Sequence, residues 1–356
     1  MKRRPRLILS ADDLVELRRR VADPATVEAQ AWAYHKRVRC DSYLDDAPKP
    51  TYRTGSGDYV ELDADSRKAR NLAIGYAVTG DPKYAVAAWR FLLAWTFIDP
   101  YAGGTDNQAA YHQSYGAFSF ALAYDLIRDT LGTDERSTVD VWLRKWCVAF
   151  KTMQTAWSKD YWFSHVGRRP YPWNAALTQD YTEWYTGRDA TQAPLCAWLA
   201  CAIMAKYRVA DVFAHRLNPP LAMRCALAND NDGDGRGVRP APEVLVSATA
   251  DYMSYNVRLS SILYQLCCAV YRATPDMQEN LFAAWAYVSR WAPPESLTVP
   301  RPGDSATLSL LLSRLQIAER LFPGHFTEQV CSGSYPRAQF YESQFLGPTT
   351  LTQFAP

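Results

Sequence analysis

A chain of 356 residues, nearly half of them apolar, can bury a large core, as one big domain or as two to three small ones. Its 12 Trp and 22 Tyr exclude a disordered or fibrous chain and fit a globular protein with an aromatic-lined cleft. The formal charge of +2 supplies no global field to recruit nucleic acid, so no nucleic-acid partner is expected.

The N-terminus, MKRRPRLILSADDL, is basic but carries only a three-residue apolar run, which does not make a signal peptide. No stretch approaches the roughly eighteen uninterrupted apolar residues of a membrane span. The expectation is a soluble protein made in the cytosol, with no membrane partner. If it acts outside a cell, lysis or incorporation in a virus particle, as part of a larger assembly, would deliver it. The eight cysteines (Cys40, Cys147, Cys196, Cys201, Cys225, Cys267, Cys268 and Cys331) form no CxxC pair and no Cys/His metal spacing. Reduced thiols packed as small hydrophobes are expected.

In chain order, Ser10 with Asp13 three residues on reads as an N-cap opening an amphipathic helix through Val21. Asp23-Pro24 ends it, and a second helix runs to about Val38. Residues 40–62, with Pro48, Pro50, Gly55 and Gly57, read as a long irregular excursion. The stretch DADSRKARNLAIGYAVTGDPKYAVAAWRFLLAW, Asp63 to Trp95, is then a helical hairpin. Ala69, Leu72, Ala73, Tyr76 and Ala77 form the apolar stripe of its first helix, while Arg67, Lys68 and Arg70 are assigned to the solvated side. Thr79-Gly80-Asp81-Pro82 is the turn: Gly80 suits the C′ position, Asp81 caps the next helix, and Pro82 sits where a missing donor is tolerated. The second helix runs on through Tyr84, Ala88, Phe91, Leu92 and Trp95.

After two adjacent glycines a helix runs through Asp129, and Thr133-Asp134-Glu135 caps another from Arg136 to about Trp157. An aromatic and basic loop, KDYWFSHVGRRPYPWN, covers Lys159 to Asn174. Helices are expected at 175–185, 193–215 and up to Asn229, then at 242–273, 276–291 and 304–321, before an irregular tail after Cys331. These roughly twelve helices in short-turn pairs predict one all-α domain over 1–356, an incomplete α/α toroid of antiparallel hairpins around a central groove. Residues 1–40 would be N-terminal helices, 41–62 a long loop, 63–330 the toroid body and 331–356 the tail.

The run RNLAIGYAVTGDPKYA, followed by LLAW, resembles a hairpin shared by carbohydrate-active α/α-toroid proteins, most closely the alginate-lyase family and its heparinase-like relatives. The similarity continues in PRLILSADDLVELRRRVADP and near Asp234 to Leu263, and covers most of the chain in outline. It is specific for fold and less so for substrate. The resemblance implies a polysaccharide lyase acting on a uronic-acid polymer, with an anionic polysaccharide or oligosaccharide as partner.

Three stretches carry groups suited to that chemistry. On the helix beginning near Asn107, positions Gln108, His112 and Tyr115 share a face. Tyr111, His112 and Gln113 can contact sugar hydroxyls or a uronate carboxylate, or belong to one satisfied helix face. In the second stretch Arg168 and Arg169 can pair with carboxylates, and Trp162, Tyr171 and Trp173 offer faces to sugar C–H groups. The alginate-lyase family carries an Asn-Asn-His motif here. This chain has Ser164-His165 and, separately, Pro172-Trp173-Asn174-Ala175, so the motif is not intact. The resemblance carries Asn to Asn174 and His to His165, which also reads as a surface loop histidine.

In the third stretch Asp230, Asp232, Asp234 and Gly235 match the front of a calcium loop, but Ala241 stands where a bidentate Glu is needed. No cofactor is expected, with calcium left open. The family places an Asp-Gly-x-x-Pro-x-Glu turn here, which Gly235 to Glu243 resembles. Arg239 stands for its Arg and Tyr252 or Tyr255 for its Tyr, with Tyr255-Asn256 and Arg258 the preferred alignment.

The implied reaction is β-elimination: Asn174 and His165 neutralise the carboxylate, Tyr255 serves as base and acid, and Arg239 lowers its pKa by favouring phenolate. Tyr252 would join the substrate contacts. Two other readings stand beside it. An inverting glycoside hydrolase needs two carboxylates about 6.5–9.5 Å apart, with Asp106, Asp125, Asp180, Glu183 and Asp251 as candidates. A non-catalytic carbohydrate-binding or virus-particle structural protein would keep the toroid and lose the motif. Fold alone does not decide among them.

Overall fold

The computed structural model describes residues 5, 7–51, 60–100, 107–146, 261, 264–265, 275–289, 315–326, 342–343 and 347–353, with only the helical backbone described over 107–115. Among these residues the fold is all-α, with one two-residue antiparallel pairing, β1 (Glu342–Ser343) with β2 (Gly347–Pro348).

Helix α1 (Ala11–Ala22) opens on the expected capping box. The Asp13 amide donates to Ser10 Oγ at 3.1 Å, and the Ser10 amide donates to Asp13 Oδ2 at 2.7 Å, so two otherwise orphaned donors are satisfied reciprocally. Leu14 and Leu17 form its buried side. Helix α2 (Val27–His35), capped by Thr26, runs on through a π turn at Lys36–Cys40 and a 3-10 turn at Asp41–Tyr43. That widened turn sets the buried Cys40 thiol against the backbone of the next helix, where it donates to the Asn71 carbonyl at 3.2 Å.

Helices α3 (Val60–Thr79) and α4 (Pro82–Thr96) form the predicted hairpin, with α3 starting three residues before Asp63. The turn follows from its four letters. Gly80 takes φ 72°, a left-handed conformation that a Cβ would strain, and its amide donates to the Tyr76 carbonyl at 2.7 Å. Asp81 Oδ1 accepts from the Lys83 amide at 3.1 Å, and Pro82 occupies the first turn of α4. Ala69, Leu72, Ala73 and Ala77 of α3 and Tyr84, Ala88, Phe91, Leu92 and Trp95 of α4 are buried as expected.

One assignment is corrected. Arg70 is not on the solvated side: it is 0% exposed and its Nη1 donates to Ser119 Oγ at 3.1 Å. It lies one position from Ala69 and three from Ala73, so the face that buries those alanines buries Arg70 too. Arg67 stays at the surface with Asp63, and Lys68 reaches Asp46 at 2.7 Å.

Helix α5 (Asn107–Ile127) packs chiefly on α3 and runs in the same sense, since Leu62 meets Gly116 while Arg70 meets Ser119. Helix α6 (133–146) follows, its start closed by the Gly132 amide donating to Glu135 Oε2 at 2.7 Å. A row of rings joins three helices: Trp95 lies 6.2 Å from Phe120, Phe120 5.4 Å from Trp142, and Trp142 6.0 Å from Trp146.

Further along are α7 (Pro275–Ser289), α8 (315–321) and the single turn α9 (Thr349–Thr352). Phe282 of α7 stacks edge-on to Phe322 at 5.2 Å, and Glu319 of α8 accepts the amides of Gly324 and Phe326, both at 2.8 Å. Within the segment read as an irregular tail, α9 packs on α2, and Thr350 to Gln353 are all buried. At the other terminus Leu7, Ile8 and Leu9 are buried as well. Among the described residues, no helix is long and apolar enough to cross a membrane.

Candidate functional site

Helix α5 connects the fold to the predicted chemistry. Tyr111, His112 and Gln113 lie on its helical backbone, about one turn before Gly116. Because α5 parallels α3 and Gly116 is level with Leu62, these positions sit at the end of the hairpin where α3 begins and α4 finishes. Positions 108, 112 and 115 share one face of that helix, as the spacing predicts.

The rest of α5 is clamped, which fixes where its first turns stand. A Cβ on Gly116 would lie 2.5 Å from Leu62 Cγ, so the two helices meet here at a distance only glycine permits. The Arg70–Ser119 bond and the Trp95–Phe120–Trp142 rings follow within the next turn. At the far end Tyr124 donates to Asp140 Oδ1 of α6 at 2.6 Å and accepts from Arg128 Nε at 3.1 Å. Burial and that carboxylate push the Tyr124 phenol well above its usual range, so it is a structural donor rather than a base. A site on such a helix inherits its rigidity.

The same end of α3 holds two buried carboxylates one turn apart, Glu61 and Asp65. Asp65 Oδ2 accepts from the Lys49 amide at 2.6 Å and from the Trp95 indole at 2.8 Å. Burial raises its pKa, against the lowering effect of those two donors and of the Lys68 charge. Asp65 therefore ties residues 44–51 and the end of α4 to α3. Arg90 supports the same segment through bonds of 2.7 Å to the carbonyls of Leu44 and Asp46. Sequence reasoning missed both Asp65 and Arg70. The available signal was charge inside a stretch whose neighbours are small or apolar.

The other predicted residues (His165, Arg168, Arg169, Tyr171, Trp173, Asn174, Arg239, Tyr252 and Tyr255) lie outside the described residues, as do Asp230, Asp232 and Asp234. Among the described residues no group of three or more His, Cys, Asp or Glu side chains could hold a metal ion. Of the hydrolase carboxylates, Asp125 is described: it is 2% exposed and its Oδ2 accepts the Leu7 amide at 2.9 Å, which makes it a structural group. An open cleft of about 460 Å³ lies between Thr96 of α4 and Ser137, Thr138, Val141 and Lys145 of α6. Among the described residues that line it, the aromatic one is Trp142, which is buried and donates to the Ile98 carbonyl at 2.9 Å, so these residues present no exposed ring face for a sugar.

No family model matches this chain, and no curated protein sequence matches it. Solved structures do. Alginate lyase A1-III from Sphingomonas species A1 is similar over 97% of this chain and 95% of its own, at 16% identity and a TM-score of 0.53. A histidine-to-alanine variant of alginate lyase A1-III complexed with tetrasaccharide is similar over 97% and 94%, at 14% identity and a TM-score of 0.50. At such identities the likeness shows the fold: an all-α chain of the α/α-toroid kind.

Proposed function

We propose that this chain is a polysaccharide lyase that cleaves an alginate-like, uronic-acid-containing polymer by β-elimination. The observation that carries the reading is the likeness of fold to alginate lyase A1-III across nearly the whole chain. The sequence resemblance in the hairpin, now α3 and α4, supports it independently of the overall shape.

In this reading Asn174 and His165 hydrogen-bond the substrate carboxylate. That neutralises its charge and lets the enediolate-like intermediate form when the C5 proton leaves. Tyr255, as phenolate favoured by the Arg239 charge, takes that proton. The electron pair of the C5–H bond becomes the C4–C5 double bond, the C4–O bond breaks, and the Tyr255 hydroxyl returns its proton to the departing glycosidic oxygen. Tyr111, His112 and Gln113 on α5, with Arg168, Arg169, Tyr171, Trp173 and Tyr252, supply the contacts that orient the chain of sugars. The scheme uses no cofactor. Calcium at Asp230, Asp232 and Asp234 would be a separate, structural contribution, seen as a fall in melting temperature on chelation.

The test is ultraviolet absorbance during incubation with alginate, polyglucuronate and glycosaminoglycans. A rise from unsaturated product, reduced about 10²–10⁴-fold in Tyr255→Phe, is the expected result. New reducing ends without absorbance would replace the lyase by a hydrolase. Binding with neither product would make the chain a carbohydrate-binding protein that retains the fold.

A further inference from the structure

One guanidinium gathers segments from both ends of the chain. Arg320 Nη1 donates to the Thr352 carbonyl at 3.1 Å; its Nη2 donates to the Ile8 carbonyl at 3.1 Å and to Asp13 Oδ2 at 3.0 Å. That Asp13 oxygen also receives the Ser10 amide at 2.7 Å and the Ser10 hydroxyl at 2.8 Å, so the capping box of α1 and the Arg320 contact share one atom. The strip Leu7–Leu9 is buried, and its first amide is held by Asp125 of α5. On the C-terminal side, Gln316 Nε2 donates to Thr350 Oγ1 and Gln265 Nε2 to Gln353 Oε1, both at 3.1 Å, and Leu351 is 0% exposed.

We propose that Arg320 is a latch: it couples the N-terminal strip 7–13 to the C-terminal segment 347–353 so that the two open together, while the α3–α5 block stays closed. The coupling follows from the cost of a buried charge. Burial disfavours the guanidinium and lowers its pKa, and the Asp13 charge opposes that. The acceptors Ile8 and Asp13 lie on one segment and Thr352 on the other. When either segment leaves, a charge still surrounded by protein loses part of its compensation, which weakens the hold on the other. The α3–α5 block has its own interlocks, Leu62 on Gly116, Arg70 with Ser119 and Trp95 on Phe120, and none of them involves the latch.

Native-state hydrogen exchange on the full chain tests this, using the wild type, Arg320→Met, Arg320→Lys and Leu351→Ala. Arg320→Met should speed exchange at Leu7, Asp13 and Leu14 and in peptides over 347–353 by at least about tenfold, in parallel, with α3–α5 unchanged. Arg320→Lys, which keeps the charge without the fork, should fall between. Leu351→Ala changes only the C-terminal segment, yet should speed exchange at Leu7 and Asp13. It also keeps the test open if Arg320→Met does not fold. Acceleration of the C-terminal segment alone in Leu351→Ala would overturn the latch. So would an equal rise across α3–α5, or no change in Arg320→Met.

Discussion

Gly116→Ala tests whether the meeting of α3 and α5 sets the position of the candidate site. On an isolated helix the change would stabilise by about 1 kcal/mol, because alanine loses less backbone entropy than glycine. Here the new methyl would stand 2.5 Å from Leu62 Cγ and 2.8 and 3.0 Å from its two Cδ atoms. Cγ is the branch point of a fully buried side chain, so it cannot swing clear without moving α3. Overpacking of that kind costs about 1–3 kcal/mol. The net expectation is a destabilisation between roughly zero and 2 kcal/mol. Leu62→Ala alone opens a cavity and should cost about 2–5 kcal/mol. In the Leu62→Ala background the same Gly116→Ala change has room, and should recover the helix gain and fill part of the void. The sign of one substitution therefore reverses between two backgrounds, with a coupling of about 1–3 kcal/mol in a double-mutant cycle. Urea unfolding followed by circular dichroism measures all four proteins. If Gly116→Ala stabilises the wild type by about 1 kcal/mol, the close approach is absent and α5 is not fixed in this register.

Asp65→Ala should destabilise by roughly 1–3 kcal/mol for each stranded donor, the Lys49 amide and the Trp95 indole, with a shift in tryptophan emission as the local reporter. Because the folded pKa of Asp65 is raised above 3.8, the folded state binds more protons than the unfolded state between those two values. Stability from this group falls as pH rises through that window, and the loss is complete above the folded pKa. Asp65→Asn should flatten that part of the stability profile, whereas an unchanged profile would remove Asp65 as its source. Tyr124→Phe keeps the packing but takes the donor from Asp140, and should cost about 1.5–3 kcal/mol in thermal unfolding. Asn174→Ala should lower turnover on the best uronate polymer about 10²–10³-fold with a smaller change in binding; weaker binding with unchanged turnover would assign Asn174 to ground-state binding instead.

The parts of the fold legible in the sequence are those fixed by neighbouring residues. Ser10 with Asp13 and Thr79-Gly80-Asp81-Pro82 act within a few residues, and both appear in the structure as the letters predict. Arg70 was misread because helical spacing shows which residues share a face but not whether a second helix covers it, and the partner, Ser119, is 49 residues away. Asp65 and the strip Leu7–Leu9 were illegible for the same reason, since their partners are remote in sequence. For the candidate site, the helix under Tyr111, His112 and Gln113 was legible from its period. The register that anchors it was not, because it depends on one glycine meeting one leucine across two helices.

The Arg320 contacts to Ile8 and Asp13 span 312 and 307 residues. During synthesis α1 and the α3–α4 hairpin emerge with nearly all their local partners, and can form as they leave the ribosome. The strip Leu7–Leu9 cannot be fully covered then, because α8 has not yet been made. This apolar segment thus waits for its contacts with Arg320 while about 300 further residues are made, some tens of seconds at about 5–20 residues per second. Chain ends joined over such distances also close slowly. Yield from recombinant expression should consequently depend more on chaperone capacity and growth temperature than the thermal stability of the finished protein would suggest.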